Sequence, residues 1–143
     1  QEHFASALIR GRLLGLARGW GAGSGPAVVL ACPPGEEHDL GLIMFGIVVS
    51  RGGWRVTYLG QDTPFATIGE TVVAVEPQLV VLAVAEGIDL TANEEAIAKL
   101  AERVPVAVGG AGVTEETGSA LGLTILAGDP VEAGRSLSVP AGV

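Results

Sequence analysis

The sequence contains one cysteine, Cys32, and only 8 basic residues against 16 acidic ones, a formal charge of -8. A single cysteine closes no internal disulfide, and nothing in the sequence has the layout of a secretory signal, so a cytoplasmic protein is expected. The shortage of Lys and Arg argues against nucleic-acid binding by this segment, because phosphate contacts need clustered cations. Arg10, Arg12 and Arg18 do cluster, but on one helical stretch that reads as a solvated face. No apolar run approaches the ~20 residues of a membrane span, and Leu40 to Val49 is half that length. No membrane partner is expected.

What remains is apolar. Of 143 residues, 48% are hydrophobic and 17% charged, which implies a heavily buried interior or an apolar surface reserved for something else. The length suits one domain that buries roughly two-thirds of its unfolded surface. The first residue is Gln1 and not Met, inside a pattern that is already helical, so the chain is read as part of a longer protein.

Glu2 to Arg18 carries Phe4, Ala7, Leu8 and Leu14 at helical spacing, and Gly19 to Pro26 has the composition of a flexible linker. From Ala27 strands alternate with helices. Strands are expected at Ala27–Ala31, Trp54–Leu59, Leu79–Ala85, Pro105–Val108 and Leu123–Leu126. Helices are expected at Leu40–Ser50, from Thr63-Pro64 to Val75 with Thr63 as cap, from a Thr91-x-x-Glu94 capping box to Arg103, at Thr114–Leu121 and at Pro130–Leu137. This predicts an α/β fold: a doubly wound, five-stranded parallel sheet of the Rossmann or flavodoxin-like type, in order 2-1-3-4-5. Residues 1–26 are assigned to a preceding helix and linker, and residues 27–143 to the sheet domain. Ligands of such sheets sit beyond the carboxyl ends of the strands, so the turns after strands one, three and four should carry the chemistry.

The Leu40–Ser50 helix has no polar face. Leu40, Ile43, Met44, Ile47 and Val48 make one side, and Leu42, Phe45 and Val49 the other. One side must pack on the sheet; the other is either covered by a ligand, domain or subunit, or is a greasy surface.

The turn after the first strand reads Cys32-Pro33-Pro34-Gly35-Glu36-Glu37-His38-Asp39-Leu40-Gly41. A phosphate loop would be glycine-rich and would not offer three carboxylates, which speaks against flavin or dinucleotide. A phosphate-receiver role fails as well, since Ala83-Val84-Ala85 has no Asp to phosphorylate. Carboxylates around a histidine suit a metal: imidazole gives one nitrogen to the ion and the other N–H to a carboxylate. Glu36 can do this only in a loop, because side chains two apart on a helix diverge. Gly41 leaves room for a bulky flat ligand. From these residues alone, a histidine capping a helix among solvated acids is an equal alternative.

Glu36-Glu37-His38-Asp39-Leu40-Gly41 resembles the D-x-H-x-x-G motif of cobalamin-binding domains, with Glu36 in the Asp place. The resemblance implies that His38 replaces the cofactor's dimethylbenzimidazole as lower ligand of cobalt, and that the freed nucleotide tail enters a slot beside the sheet. Gly109-Gly110 matches the family's Gly-Gly pair after the fourth strand. The family's S-x-L serine is replaced by Ala83-Val84-Ala85, so Ala83 and Ala85 keep the slot open but offer no hydroxyl to a relay through the carboxylate. Pro33 to His38, Tyr58-Leu59-Gly60-Gln61-Asp62-Thr63-Pro64 and Glu2-His3 are similar to segments of the cobalamin-dependent, light-sensing MerR-type repressors of the CarH and LitR kind.

That resemblance implies a sensor and not an enzyme. Adenosylcobalamin assembles such repressors into DNA-binding homo-oligomers, and light breaks the cobalt–carbon bond and disperses them. Glu2 and His3 would lie near the adenosyl group, Asp62 either at the corrin rim or in a turn before Thr63. DNA would be bound by an N-terminal module outside this chain. Two other readings stay open: the corrinoid carrier domain of a methyltransferase or mutase, and an interaction domain that has lost its cofactor.

Overall fold

A computed structural model describes residues 9, 19–22, 24–85 and 88–137. Of the helix expected at Glu2–Arg18 only Ile9 is described, and it is helical; Glu2 and His3 lie outside the described residues. Strand β1 (Ala27–Ala31) is buried at all five positions, as a central strand of a parallel sheet covered on both faces must be. It is flanked by β2 (Arg55–Gly60) and β3 (Leu79–Ala83), with β4 (Val106–Gly109) and β5 (Thr124–Ile125) beyond. All pairings are parallel and the order is β2-β1-β3-β4-β5. The doubly wound sheet expected from the alternation of elements therefore forms, with its order reversing at β1.

Side chains alternate between two cores, following the two-residue period of a strand. Val29, Ala31, Val80 and Leu82 face helices α2 (Phe65–Val75) and α3 (Glu94–Arg103) through Ile68, Val72, Ile97 and Leu100. Val28, Leu30 and Val81 face α1 (Leu40–Arg51) and α5 (Pro130–Ser136) through Leu42, Ile43, Ile47 and Ala133. Helix α4 (Glu115–Ala120) starts at Thr114, whose hydroxyl accepts from the Thr117 amide at 3.1 Å. Among the described residues no helix is long and apolar enough to cross a membrane.

Both apolar sides of α1 are largely covered from within the chain. Residues of both sides, Leu42, Ile43, Ile47 and Val49, pack on the sheet, and α5 lies along Phe45 and Val48, so close that a Cβ on Gly134 would stand 2.8 Å from Val48. The linker contributes too. Trp20 is 8% exposed and rests on Gly46 of α1, where any Cβ would come within 2.7 Å of the indole. Its carbonyl accepts the Val56 amide at 2.6 Å, and Arg55 Nε donates to the Gly25 carbonyl at 2.7 Å. The segment with linker composition is thus pinned to the edge strand, and its tryptophan belongs to the core.

Three local expectations fail for identifiable reasons. Thr63 does not cap α2: Pro64 holds the cap position, and the buried Thr63 hydroxyl donates back to the Gly60 carbonyl at 3.1 Å. The Thr91 capping box gives way to a 3-10 turn, Leu90–Asn93, because Asp89 supplies a stronger acceptor to the Thr91 amide (3.0 Å) and hydroxyl (2.5 Å). Strand β3 ends at Ala83, two residues early, since the Ala85 amide turns towards Glu36.

Candidate functional site

The segment from Cys32 to Asp39 leaves β1 as a loop because Pro33 and Pro34 supply no amide to a ladder. Its shape is set by the turn after β2. Asp62 Oδ1 accepts the Gly35 amide at 2.7 Å, and the Asp62 amide donates to the Glu36 carbonyl at 2.7 Å. Asp62 adopts φ 45°, a left-handed conformation that Asp tolerates better than most residues. Gln61 Nε2 donates to the Glu37 carbonyl at 2.8 Å. Asp62 is therefore a strut of the histidine loop and does not line the cavity described below.

Two of the loop's three carboxylates turn inward. Glu36 is 1% exposed. One of its oxygens accepts the His38 amide at 3.1 Å and lies 3.0 Å from His38 Nδ1; the other accepts the Ala85 amide. Burial alone would raise its pKa, but the hydrogen bonds from the Ala85 and His38 amides and from the His38 ring outweigh that, holding the carboxyl below its ordinary range. The anionic Glu36 faces Nδ1 of His38 and so favours the tautomer in which Nδ1 donates and Nε2 keeps its lone pair. The ring itself is 85% exposed. Asp39 is 2% exposed and accepts from the Tyr58 hydroxyl at 2.5 Å and from Gln61 at 3.3 Å. Tyr58 in turn meets the edge of Trp20, with ring centroids 5.4 Å apart.

The Glu36 side chain, one methylene longer than Asp, reaches past the loop to a backbone amide of the β3 turn, that of Ala85.

Beside His38 opens a slot of about 200 Å³ between α1, α5 and the carboxyl ends of β3 and β4. Gly41, Ala83, Ala85, Gly109 and Gly110, all singled out from the sequence, line it with His38. So do Leu42 and Phe45 of α1, Leu126 after β5, and Pro130 and Ala133 of α5. The apolar second side of α1 was a signal for the first two. Nothing in the sequence marked the last three, which arrive from the far end of the chain. Gly110 has a reason beyond the slot: at φ 107°, a Cβ there would lie 2.3 Å from the Val84 carbonyl oxygen. Its role is the close approach of two turns.

Among the described residues no group of three or more His, Cys, Asp or Glu side chains could hold a metal ion. Sheet, loop and slot together place one exposed, oriented imidazole beside an apolar recess. The chain belongs to the B12-binding domain family, whose sequence model matches residues 26–132.

Two curated relatives are the HTH-type transcriptional repressors CarA and CarH of Myxococcus xanthus. CarA is 42% identical over 122 residues, 80% of this chain and 41% of CarA. CarH is 36% identical over 115 residues, 78% of this chain and 38% of CarH. The chain thus spans about two-fifths of the length of these relatives. Among solved structures, a cobalamin-binding protein from Desulfitobacterium hafniense superposes with a TM-score of 0.66 at 25% identity, covering 78% of this chain and 56% of that one. The methanol:cobalamin methyltransferase complex of Methanosarcina barkeri shares the fold, with a TM-score of 0.69 at 23% identity over 80% of this chain and 46% of its own.

The residues fit the family's cofactor. Cobalt in a corrin carries its own ring nitrogens, so a single protein donor would suffice, and His38 could be it: an exposed imidazole whose Nδ1 faces a buried carboxylate. The adjoining slot is apolar and would suit an aromatic base.

Proposed function

We propose that this chain is the cobalamin-binding sensor domain of a light-responsive transcriptional regulator, with His38 Nε2 as lower ligand of cobalt. The observation that carries the reading is the anionic, buried Glu36 holding Nδ1 of an otherwise exposed imidazole at the mouth of an apolar slot. When bound, adenosylcobalamin supplies a cobalt–carbon bond that visible light can break. The chain's own residues orient and exclude: Glu36 fixes the tautomer, Asp62 and Gln61 hold the loop, and Gly41, Ala83, Ala85, Gly109 and Gly110 keep the slot clear for the nucleotide tail. Residues 27–143 are the cofactor domain, and residues 1–26 the helix of an upstream bundle and its connection, whose Trp20 packs into the domain's core. Glu2 and His3 would approach the adenosyl group from above.

The likeness to CarA and CarH supports a regulator in preference to a methyltransferase or mutase carrier. So does the absence of the motif serine. DNA binding and homo-oligomer assembly are assigned to the whole regulator, in the cytoplasm, with no catalysis by this domain. The test is the absorption spectrum of the protein with adenosylcobalamin before and after green light. A histidine-ligated spectrum that changes on illumination is expected, and His38→Ala should lose the ligated form while keeping its fold. An alanine variant with an unchanged spectrum overturns the ligand assignment.

A further inference from the structure

The slot has a chemistry of its own. Among the described residues every lining side chain other than His38 is hydrocarbon or hydrogen, and the His38 ring is tied to Glu36. Part of the polar backbone of the floor is engaged as well. The Val84 amide donates to Gly109 and the Gly112 amide to the Val84 carbonyl, each at 2.9 Å, while the Ala85 amide donates to Glu36.

We infer that this slot selects among cobamides by the polarity of the displaced lower base, accepting a methylated benzimidazole and rejecting a purine. The inference rests on the cobalamin-binding reading above and specifies which members of the cofactor class the site takes. Benzimidazole and purine are both bicyclic and close in size, so volume does not discriminate between them. Polarity does. Dimethylbenzimidazole would bring one free ring nitrogen and two methyl groups into a slot whose described side chains, Phe45, Leu126 and Val81 among them, are hydrocarbon. Adenine carries an exocyclic amine and several ring nitrogens, each losing water on entry and finding, among the described lining residues, no side-chain partner other than His38. One buried donor or acceptor left unpaired lowers affinity roughly tenfold or more.

The test compares dissociation constants, by quenching of tryptophan fluorescence, of three ligands with the same upper group: cobalamin, the cobamide with adenine as lower base, and cobinamide, which lacks the nucleotide tail. Cobalamin should bind at least tenfold tighter than the adenine cobamide and tighter than cobinamide. Ala83→Asn, and separately Leu126→Gln, each place a donor and an acceptor in the slot and should narrow the ratio between cobalamin and the adenine form. Equal affinity of the two complete cobamides, or preference for adenine, overturns the inference while leaving His38 ligation standing. Failure of all three ligands to bind overturns the cobalamin reading itself, and the inference with it.

Discussion

In the loop from Cys32 to Asp39 the inward carboxylates and the backbone are tied by named partners, whereas the slot on the other side of His38 is walled by hydrocarbon. The two regions share a histidine and little else. In the loop each hydrogen bond fixes a direction: Glu36 sets which nitrogen of His38 is free, and Asp62 sets where the turn lies. In the slot the described side chains other than His38 carry no hydrogen-bonding atom, so shape and the exclusion of water act there. A hydrogen-bonded loop therefore fails when a single atom changes, and an apolar recess fails only when its volume or polarity changes.

The sharpest test of that contrast uses two adjacent glycines. Gly110→Ala places a methyl group 2.3 Å from the Val84 carbonyl oxygen at φ 107°, and should destabilise the protein by roughly 3 kcal/mol. Gly109→Ala meets nothing nearer than Leu126 Cβ at 3.9 Å. Its stability should stay within about 0.5 kcal/mol of the parent, while the narrowed slot weakens cobalamin binding. Urea denaturation and ligand titration separate the two effects. Equal destabilisation by both would erase the distinction between a glycine needed by the chain and one needed by the ligand.

A smaller effect is expected from Glu36→Gln, which preserves size but forces an amide group against the donors now facing the carboxylate. The loss should be about 1–3 kcal/mol. It should be accompanied by a mixture of His38 tautomers visible in nitrogen NMR of the ring. The matching change in the slot, Leu126→Met, conserves volume and should cost less than about 1.5 kcal/mol. If the slot variant proves the more damaging, the comparison is wrong.

The same division decides what can be read without coordinates. The strands follow from short apolar runs between helices, because burial on both faces leaves few polar positions in β1 or β3; their order leaves no such mark. The Glu36–His38 pair is legible because its members are two residues apart and two prolines keep them out of a helix. Partners that come from afar are not. The Ala85 amide is backbone and has no sequence signature; Leu126, Pro130 and Ala133 become slot residues only once α5 lies on α1. Trp20 sits in a run whose glycines signal flexibility, yet Gly46, twenty-six residues on, provides the flat seat for its ring. Composition describes a segment alone and is silent about the surface it meets. Thr91 errs in the other direction: a local pattern was present, and a nearer carboxylate, Asp89, prevailed.

The smallest expected effect lies where the slot borrows from hydrogen bonding, at the start of α5. Asp129 caps this helix through the Glu132 amide at 2.9 Å. That amide, then the Glu132 side chain, holds the Asp129 carboxyl below its ordinary range, whereas the hydrogen bond and charge of Asp129 raise Glu132. A carboxyl whose pKa is lower in the folded state stabilises fully above its unfolded value and loses that contribution as pH falls through the folded one. The cap should therefore persist through mildly acidic solution and open only below the ordinary aspartate range. Glu132 works against it at higher pH, so the net slope of stability is shallow, as suits two exposed groups screened by water. Hydrogen exchange at the Glu132 amide is the local probe: protection should fall with pH in the parent and stay level in Asp129→Asn, which caps without titrating. If the asparagine variant shows the same acid-induced loss, the wall of the slot is opened by some other group and Asp129 is merely its neighbour.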